Sequence, residues 1–226
     1  MPADTAAHPA GHRWLALTVL CLGVLMIVLD STVVNVALPS IKTDLGFNDS
    51  TLAWVVNGYM LTFGGFLLLG GRLGDLFGHR RLFLIGLVIF TLASLACGLS
   101  GNQTVLVAAR AIQGLGGAAI MSVQPALVRA IYPRSQLGRG LGFNTTVVAT
   151  SLAAGPSIGA LVLSMAPWPY LFAVYAPLGL ISFVLAERYL PHTTHTHRPF
   201  DVISAALSGA TFGLLIFGID GLAHGH

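Results

Sequence analysis

Two residues stand out because their chemistry conflicts with their surroundings. Asp30 and Arg110 both lie inside apolar stretches, in Leu29-Asp30-Ser31-Thr32-Val33-Val34-Asn35 and in Arg110-Ala111-Ile112-Gln113-Gly114. A charged side chain inside a membrane span costs about 2.5–3.5 kcal/mol on insertion scales, so it usually faces a cavity or a partner. A carboxylate in that setting can alternate between ionised and protonated forms and so carry a proton, with a nearby guanidinium deciding when it does. The other reading is a structural ion pair that never titrates; the general rule that intramembrane carboxylates are functional favours the proton site. Gln113 lies three residues beyond Arg110, on the same helical face and one turn deeper.

The elements that must position these residues are membrane helices. Of 226 residues, 55% are hydrophobic and 8% charged, and the mean hydropathy is +0.82. A soluble domain carries about 25% charged residues, so the composition specifies an all-α integral membrane protein. Apolar runs predict spans at about 14–38, 52–69, 82–99, 104–131, 140–165, 170–189 and 202–219, the first ending at Pro39. Each is long enough to cross a bilayer. The organisation read from this pattern is a tail over 1–13, a six-span bundle over 14–190, a loop over 191–199, and a seventh span with the C-terminal end over 200–226. No cleavable signal peptide is expected, because the first apolar run is too long for one and lacks a small-residue cleavage site. Counting along the first and fourth spans, Asp30 lies about 12 Å from the outer end and Arg110 about 9 Å. Opposite charges are therefore expected at nearly the same level.

Between the second and third spans runs Gly70-Gly71-Arg72-Leu73-Gly74-Asp75-Leu76-Phe77-Gly78-His79-Arg80-Arg81. Its glycines suit a tight polar hinge, and its arginines must stay out of lipid. Sorting the basic residues by alternate loops puts Arg13, Arg72, Arg80, Arg81, Arg129, Arg134, Arg139, Arg188 and Arg198 on one side and Lys42 alone on the other. By the positive-inside rule the N-terminus is expected in the cytoplasm, and the protein in the cell membrane. The fifth span carries Ser151, Gly155 and Gly159 at four-residue spacing, with Pro156 beside the second. Small residues at that spacing let helices approach closely in lipid, and the proline removes a backbone donor.

Several classes of function are set aside. The net charge of +3 comes from residues at span ends rather than from a basic face, so nucleic acid is not an expected partner. No phosphate-cradling loop is present, because the glycines near Arg110 are helical and membrane-embedded, and no hydrolase or zinc-protease motif occurs. No enzyme activity, metal or cofactor is expected. His192, His195 and His197 could ligate a metal, but no cysteine or carboxylate cluster completes a site, and a solvated loop explains them. Cys21 and Cys97 read as buried packing residues. Asn57, Tyr59 and Asn144 are candidates to line a cavity or to bond between helices.

These residues resemble the major facilitator superfamily, and within it the fourteen-span drug:proton antiporters. Gly71, Leu73, Asp75, Gly78 and Arg80 are similar to the superfamily's loop motif G-x-L-x-D-x-x-G-x-[RK]. The stretch from Leu29 to Pro39 resembles L-D-x-T-[IV]-V-N-V-A-L-P of the fourteen-span group, Arg110 to Gly114 resembles R-x-x-Q-G, and Gly155 to Gly159 resembles the antiporter motif G-P-x-x-G. Family hinges often carry arginine where this chain has Leu76 and His79, and the family's helix 5 motif usually begins and ends with glycine where it has Ser151 and Ala160.

The resemblance implies the six-helix N-terminal half of the family fold, a 3+3 inverted repeat, followed by a seventh span. It implies that Asp30 and Arg110 couple protons to substrate, and that Gly71, Asp75, Gly78, Arg80 and Arg81 belong to a cytoplasmic gate. Gly155, Pro156 and Gly159 would shape the fifth helix for exchange. Apart from the resemblance, Gln113 joins Asn57, Tyr59 and Asn144 among the candidates to line a cavity. The substrate would be a small hydrophobic or cationic drug, and the partners protons, the bilayer and a second transporter half. The family site lies between two halves, so the expectation is that this chain holds half of one. A membrane-embedded binding or sensor subunit, or a half-transporter working with a partner or as a homodimer, remains the alternative.

Overall fold

The computed structural model describes residues 10–133 and 135–191, together with Leu207 and Thr211. The expected seventh span, apart from the helical positions Leu207 and Thr211, and His192, His195 and His197 lie outside the described residues, as do residues 1–9 of the expected tail, whose last four residues belong to α1. Seven helices follow one another: α1 (Ala10–Leu45), α2 (Asp49–Phe77), α3 (His79–Gly98), α4 (Gln103–Ile131), α5 (Leu137–Met165), α6 (Pro169–Ala173) and α7 (Tyr175–Tyr189). The last two together make one span, Pro169–Tyr189, so six membrane-capable spans are described. The break between them lies at Val174. Pro177, three residues on, lacks the N–H that would bond the carbonyl of Ala173, which ends the regular ladder there.

The first span does not stop at Pro39. α1 carries that proline within its length and ends at Leu45. Pro39 removes one backbone donor, and the helix runs on for a further polar turn and a half to Leu45. Gly46 then closes the helix with φ 67°, and Phe47 N–H donates back to the Lys42 carbonyl at 3.1 Å. That is the glycine-terminated reversal in which the second residue past the cap reaches the last turn. Phe47 buries its ring beneath it. At the helix starts on the same side of the bundle the side chains of Asn48 and Asn102 cap α2 and α4, accepting from Thr51 N–H at 2.7 Å and Val105 N–H at 2.9 Å, as short polar side chains do at N-caps.

The expected hinge over 70–81 is also corrected. α2 runs on through it to Phe77, and Gly78 alone, at φ 94° and ψ 130°, separates it from α3. Gly70 and Gly74 serve contact rather than reversal. A Cβ on Gly70 would lie 2.6 Å from Ser122 Oγ, and one on Gly74 would lie 2.5 Å from Val123 Cγ1, both on α4. The helix continues because its glycines bury one face against α4, while Arg72 stands exposed on another.

α4 is the axis of this packing, with α2 on one flank and α3 on another, while α1 packs along α5 and α7. The α3–α4 contact is backbone to backbone: a Cβ on Gly116 would lie 2.5 Å from Phe90 N and 2.8 Å from Gly86 O. Small residues replace the hydrophobic drive that lipid cannot supply. On the α1–α5 side, Gly155 sits against Thr32 so closely that a side chain there would collide with its hydroxyl, and Gly159 sits against Val33. α5 is helical through Pro156.

This packing predicts unequal glycines. Gly116→Ala should destabilise the purified full-length protein by about 1–3 kcal/mol, the usual range for overpacking, because the obstructing atoms are backbone. Gly71→Ala, where a Cβ meets nothing within 4 Å, should be silent. Thermal unfolding followed by size-exclusion chromatography in detergent checks this, and equal melting temperatures for the two variants would refute it.

Candidate functional site

The structure brings Asp30 and Arg110 into direct contact at the centre of the bundle. Arg110 Nη1 lies 2.6 Å from Asp30 Oδ2, and the two residues are 1% and 0% exposed. Gln113 completes a triangle. Its Nε2 donates to Asp30 Oδ1 at 2.9 Å, and its Oε1 accepts from Arg110 Nη1 at 2.6 Å. Both carboxylate oxygens are thus answered, one by a charge and one by an amide. A buried ion pair is stable only when its remaining lone pairs and protons are also satisfied.

Three further helices supply that satisfaction. From α2, the Val55 carbonyl accepts from Arg110 Nε at 3.1 Å, and the Tyr59 ring lies 4.4 Å from the guanidinium carbon. That distance is within cation–π range, an attraction that strengthens in a desolvated site. The opening for α2 is made by Gly114, where a Cβ would lie 2.5 Å from the Tyr59 carbonyl. From α3, Ser94 Oγ lies 2.9 Å from Gln113 Nε2 while donating to the Phe90 carbonyl at 2.7 Å. The Cys97 thiol points at Gln113 Oε1, 3.8 Å away. From α6, the Phe172 ring stands 5.9 Å from the guanidinium carbon.

Sequence reasoning missed Ser94, Cys97, the Val55 carbonyl and Phe172. The one signal for Ser94 was a lone hydroxyl midway along an apolar helix, which is common; a backbone carbonyl carries no signal at all. Tyr59 is fully buried and stacked on Phe63 with ring centroids 5.7 Å apart, and its hydroxyl has no hydrogen-bond partner among the described residues. Its ring, rather than its hydroxyl, is what the site uses. Asn57 is half-buried on α2 and makes none of the hydrogen bonds of this cluster. Asn144 belongs elsewhere: Gln124 Nε2 donates to its Oδ1 at 2.5 Å, tying α4 to α5 about 21 Å along α4 from Arg110.

At the Gly78 end, the expected gate residues fall into two separate pairs. Asp75 Oδ1 lies 3.2 Å from His79 Nε2, one helical turn away across the Gly78 break. Arg80 is buried and reaches α7 instead, where its Nη2 lies 3.2 Å from Glu187 Oε1 and also donates to the Glu187 backbone carbonyl. Glu187 is a residue that the motif reading did not single out. Arg81 is exposed, and Gly71 faces open space. The expected exchange residues Gly155 and Gly159 lie against Thr32 and Val33, two and three positions past Asp30. No group of three metal-ligating side chains is found among the described residues.

Comparison with known proteins agrees with this architecture. The Major Facilitator Superfamily profile matches residues 20–220. The chain is 48% identical over 219 residues to the uncharacterized transporter YebQ of Escherichia coli (strain K12), a match covering 96% of this chain and 48% of that protein. It is 38% identical to the tetracenomycin C resistance and export protein of Streptomyces glaucescens, covering 95% and 41% of the two chains. The chain therefore spans about half the length of the curated relatives it matches. Among solved structures it is similar to the proton:xylose symporter XylE, with TM-score 0.70, 17% identity, and 92% and 50% coverage. It is similar also to a peptide transporter, POT, with TM-score 0.72, 14% identity, and 97% and 46% coverage. At those identities the likeness concerns the fold. With the family profile matched along most of its length and six membrane-capable helices packed in this manner, the chain belongs to the major facilitator superfamily, a family of multi-pass membrane transporters.

Proposed function

We propose that this chain is the N-terminal half of a proton-coupled antiporter that exports small hydrophobic or cationic molecules across the cytoplasmic membrane. The observation that carries the proposal is the Asp30–Arg110–Gln113 triangle, a carboxylate that is wholly buried yet fully ligated. Full hydrogen bonding is what any buried pair requires; what favours a proton site is the set of Arg110 contacts that do not involve Asp30. Here Arg110 also has three neutral contacts: the Val55 carbonyl, Gln113 Oε1 and the Tyr59 ring. Such a guanidinium stays solvated by protein when Asp30 takes up a proton, which is what a reversible proton site requires. The relatives named for tetracenomycin C export and for multidrug resistance support an export role.

On this reading Asp30 and Arg110 couple protons to substrate. Gly155, Pro156 and Gly159 shape α5 for exchange, with the two glycines seating it closely against α1. Asp75, Gly78, Arg80 and Arg81, with Gly71, form the cytoplasmic gate. Its Arg80–Glu187 contact holds α3 to α7 within this half, and in this reading Asp75 and the exposed Arg81 are the members that would meet a second half. Asn57 and Asn144 lie toward the substrate path. The N-terminus is cytoplasmic.

Two experiments test this. In proteoliposomes holding the full-length protein, substrate addition should drive proton movement read by a trapped pH dye. Asp30→Asn should reduce that signal at least a hundredfold while leaving substrate binding within about tenfold, since the neutral amide keeps the site's shape. Unchanged proton movement would sink the coupling role. For orientation, Lys42→Cys in a cysteine-free protein should react with a membrane-impermeant maleimide added outside intact cells, and Arg81→Cys should not; the reverse pattern would invert the topology.

A further inference from the structure

The N-terminal ends of α1 and α5 lie side by side and carry positive charge that nothing described there neutralises. Arg139, in the first turn of α5, stands with its guanidinium carbon 5.9 Å from the Trp14 ring on α1. Trp14 in turn meets Phe143 of α5 edge-on, with ring centroids 6.0 Å apart. Arg13 immediately precedes Trp14, and its Nε is buried without a hydrogen-bond partner among the described residues. The Tyr132 phenol lies within electrostatic reach of both Arg13 and Arg139. Neither α1 nor α5 has an acidic residue in its first turn, and α5 has no side-chain cap. Each helix start adds about half a positive charge of its own. Among the described residues neither arginine is in a salt bridge, whereas the third arginine at this end, Arg129, donates to the Pro125 carbonyl of its own helix.

Beside this charge lies an exposed apolar surface. Trp14 is 46% exposed and Phe143 47%, and Leu15 and Leu141, also exposed, continue it on the two helices. A small anion would answer the arginines and leave that surface bare. An amphiphile with a phosphate at one end and hydrocarbon at the other matches both parts.

We propose that the α1–α5 end of the bundle binds an anionic membrane phospholipid, with Arg13 and Arg139 on its phosphate and Trp14 and Phe143 against its acyl chains. Guanidinium suits the planar double contact to phosphate oxygens, an indole ring suits the headgroup level, and basic residues at the membrane surface each favour anionic lipid. The site is independent of Asp30 and Arg110, and stands whether or not these carry protons.

The test is native mass spectrometry of the full-length protein in detergent, titrated with dioctanoyl phosphatidylglycerol, dioctanoyl phosphatidylcholine or inorganic phosphate. Phosphatidylglycerol should bind at least about tenfold more tightly than phosphatidylcholine, on the scale of two basic residues. Inorganic phosphate should not compete with it at similar concentrations. Arg13→Gln with Arg139→Gln should erase the preference, and Arg129→Gln should keep it. Equal binding of the two lipids, full preference in the double variant, or competition by phosphate alone would each overturn the assignment. Should the double variant not fold, the unmodified protein still decides the matter. Its preference should collapse between about 0.1 M and about 1 M salt, as screening of exposed charge requires, and a salt-resistant preference would refute the arginine site.

Discussion

A carboxylate and a guanidinium can share an apolar bundle only if their hydrogen-bonding capacity is answered by protein, and that demand fixes the relative depth of most helices here. Asp30 on α1 requires Arg110 and Gln113 on α4. Gln113 requires Ser94 on α3, and Arg110 requires the Val55 carbonyl on α2. Moving any of these helices by one turn, about 5.4 Å, would leave a charged or amide group without its partner in a medium that offers no replacement. Apolar packing against lipid-like surroundings has no such preference for register, so the polar triangle is what specifies it.

The triangle is in turn possible only because backbones come close. Arg110 can reach the Val55 carbonyl because Gly114 admits α2, and Gln113 can reach Ser94 because Gly86 and Gly116 admit α3 to α4. Side chains at these glycines would hold the helices apart by the width of a methyl group or more, and hydrogen bonds of 2.6–3.1 Å would lengthen beyond use. Glycine therefore has two separate duties in this chain. At Gly46 and Gly78 it supplies a positive φ that ends a helix, and at Gly70, Gly74, Gly86, Gly114 and Gly116 it supplies absence of volume.

That double duty explains what was legible in the sequence and what was not. Asp30, Arg110 and Gln113 were visible because charge in an apolar run is expensive and helical rise converts position into depth; that arithmetic gave a shared level, and the 2.6 Å contact is what the structure adds. The glycines of 70–81 were visible as glycines, but a residue type that both breaks and packs helices does not say which it is doing. Only Gly78 breaks; the others lie on α2, so a predicted polar hinge is largely helix. Pro39 misled in the same way, because a proline can end a helix or be carried within one. Ser94 and Glu187 were illegible for a different reason. Each matters through a neighbour far along the chain, Gln113 and Arg80 respectively, and a lone serine or a span-end glutamate does not announce its partner.

The geometry also says what would change when Asp30 is neutralised. Arg110 would lose its only charged contact at the site and keep the Val55 carbonyl, Gln113 Oε1 and the Tyr59 ring, all from α2 and α4. The guanidinium would then be held within one helix pair, and α1 would keep only a neutral hydrogen bond to it. Asp30 lies two and three residues before Thr32 and Val33, where α5 rests on α1 through Gly155 and Gly159. Weakening the Asp30 contact therefore loosens α1 with its α5 companion from α4, rather than loosening α4 from α2 or α3, whose contacts are backbone to backbone. In the proposed reading, charge on one carboxylate is thereby linked to the relative position of two helix groups, α1 with α5 and α4 with α2 and α3.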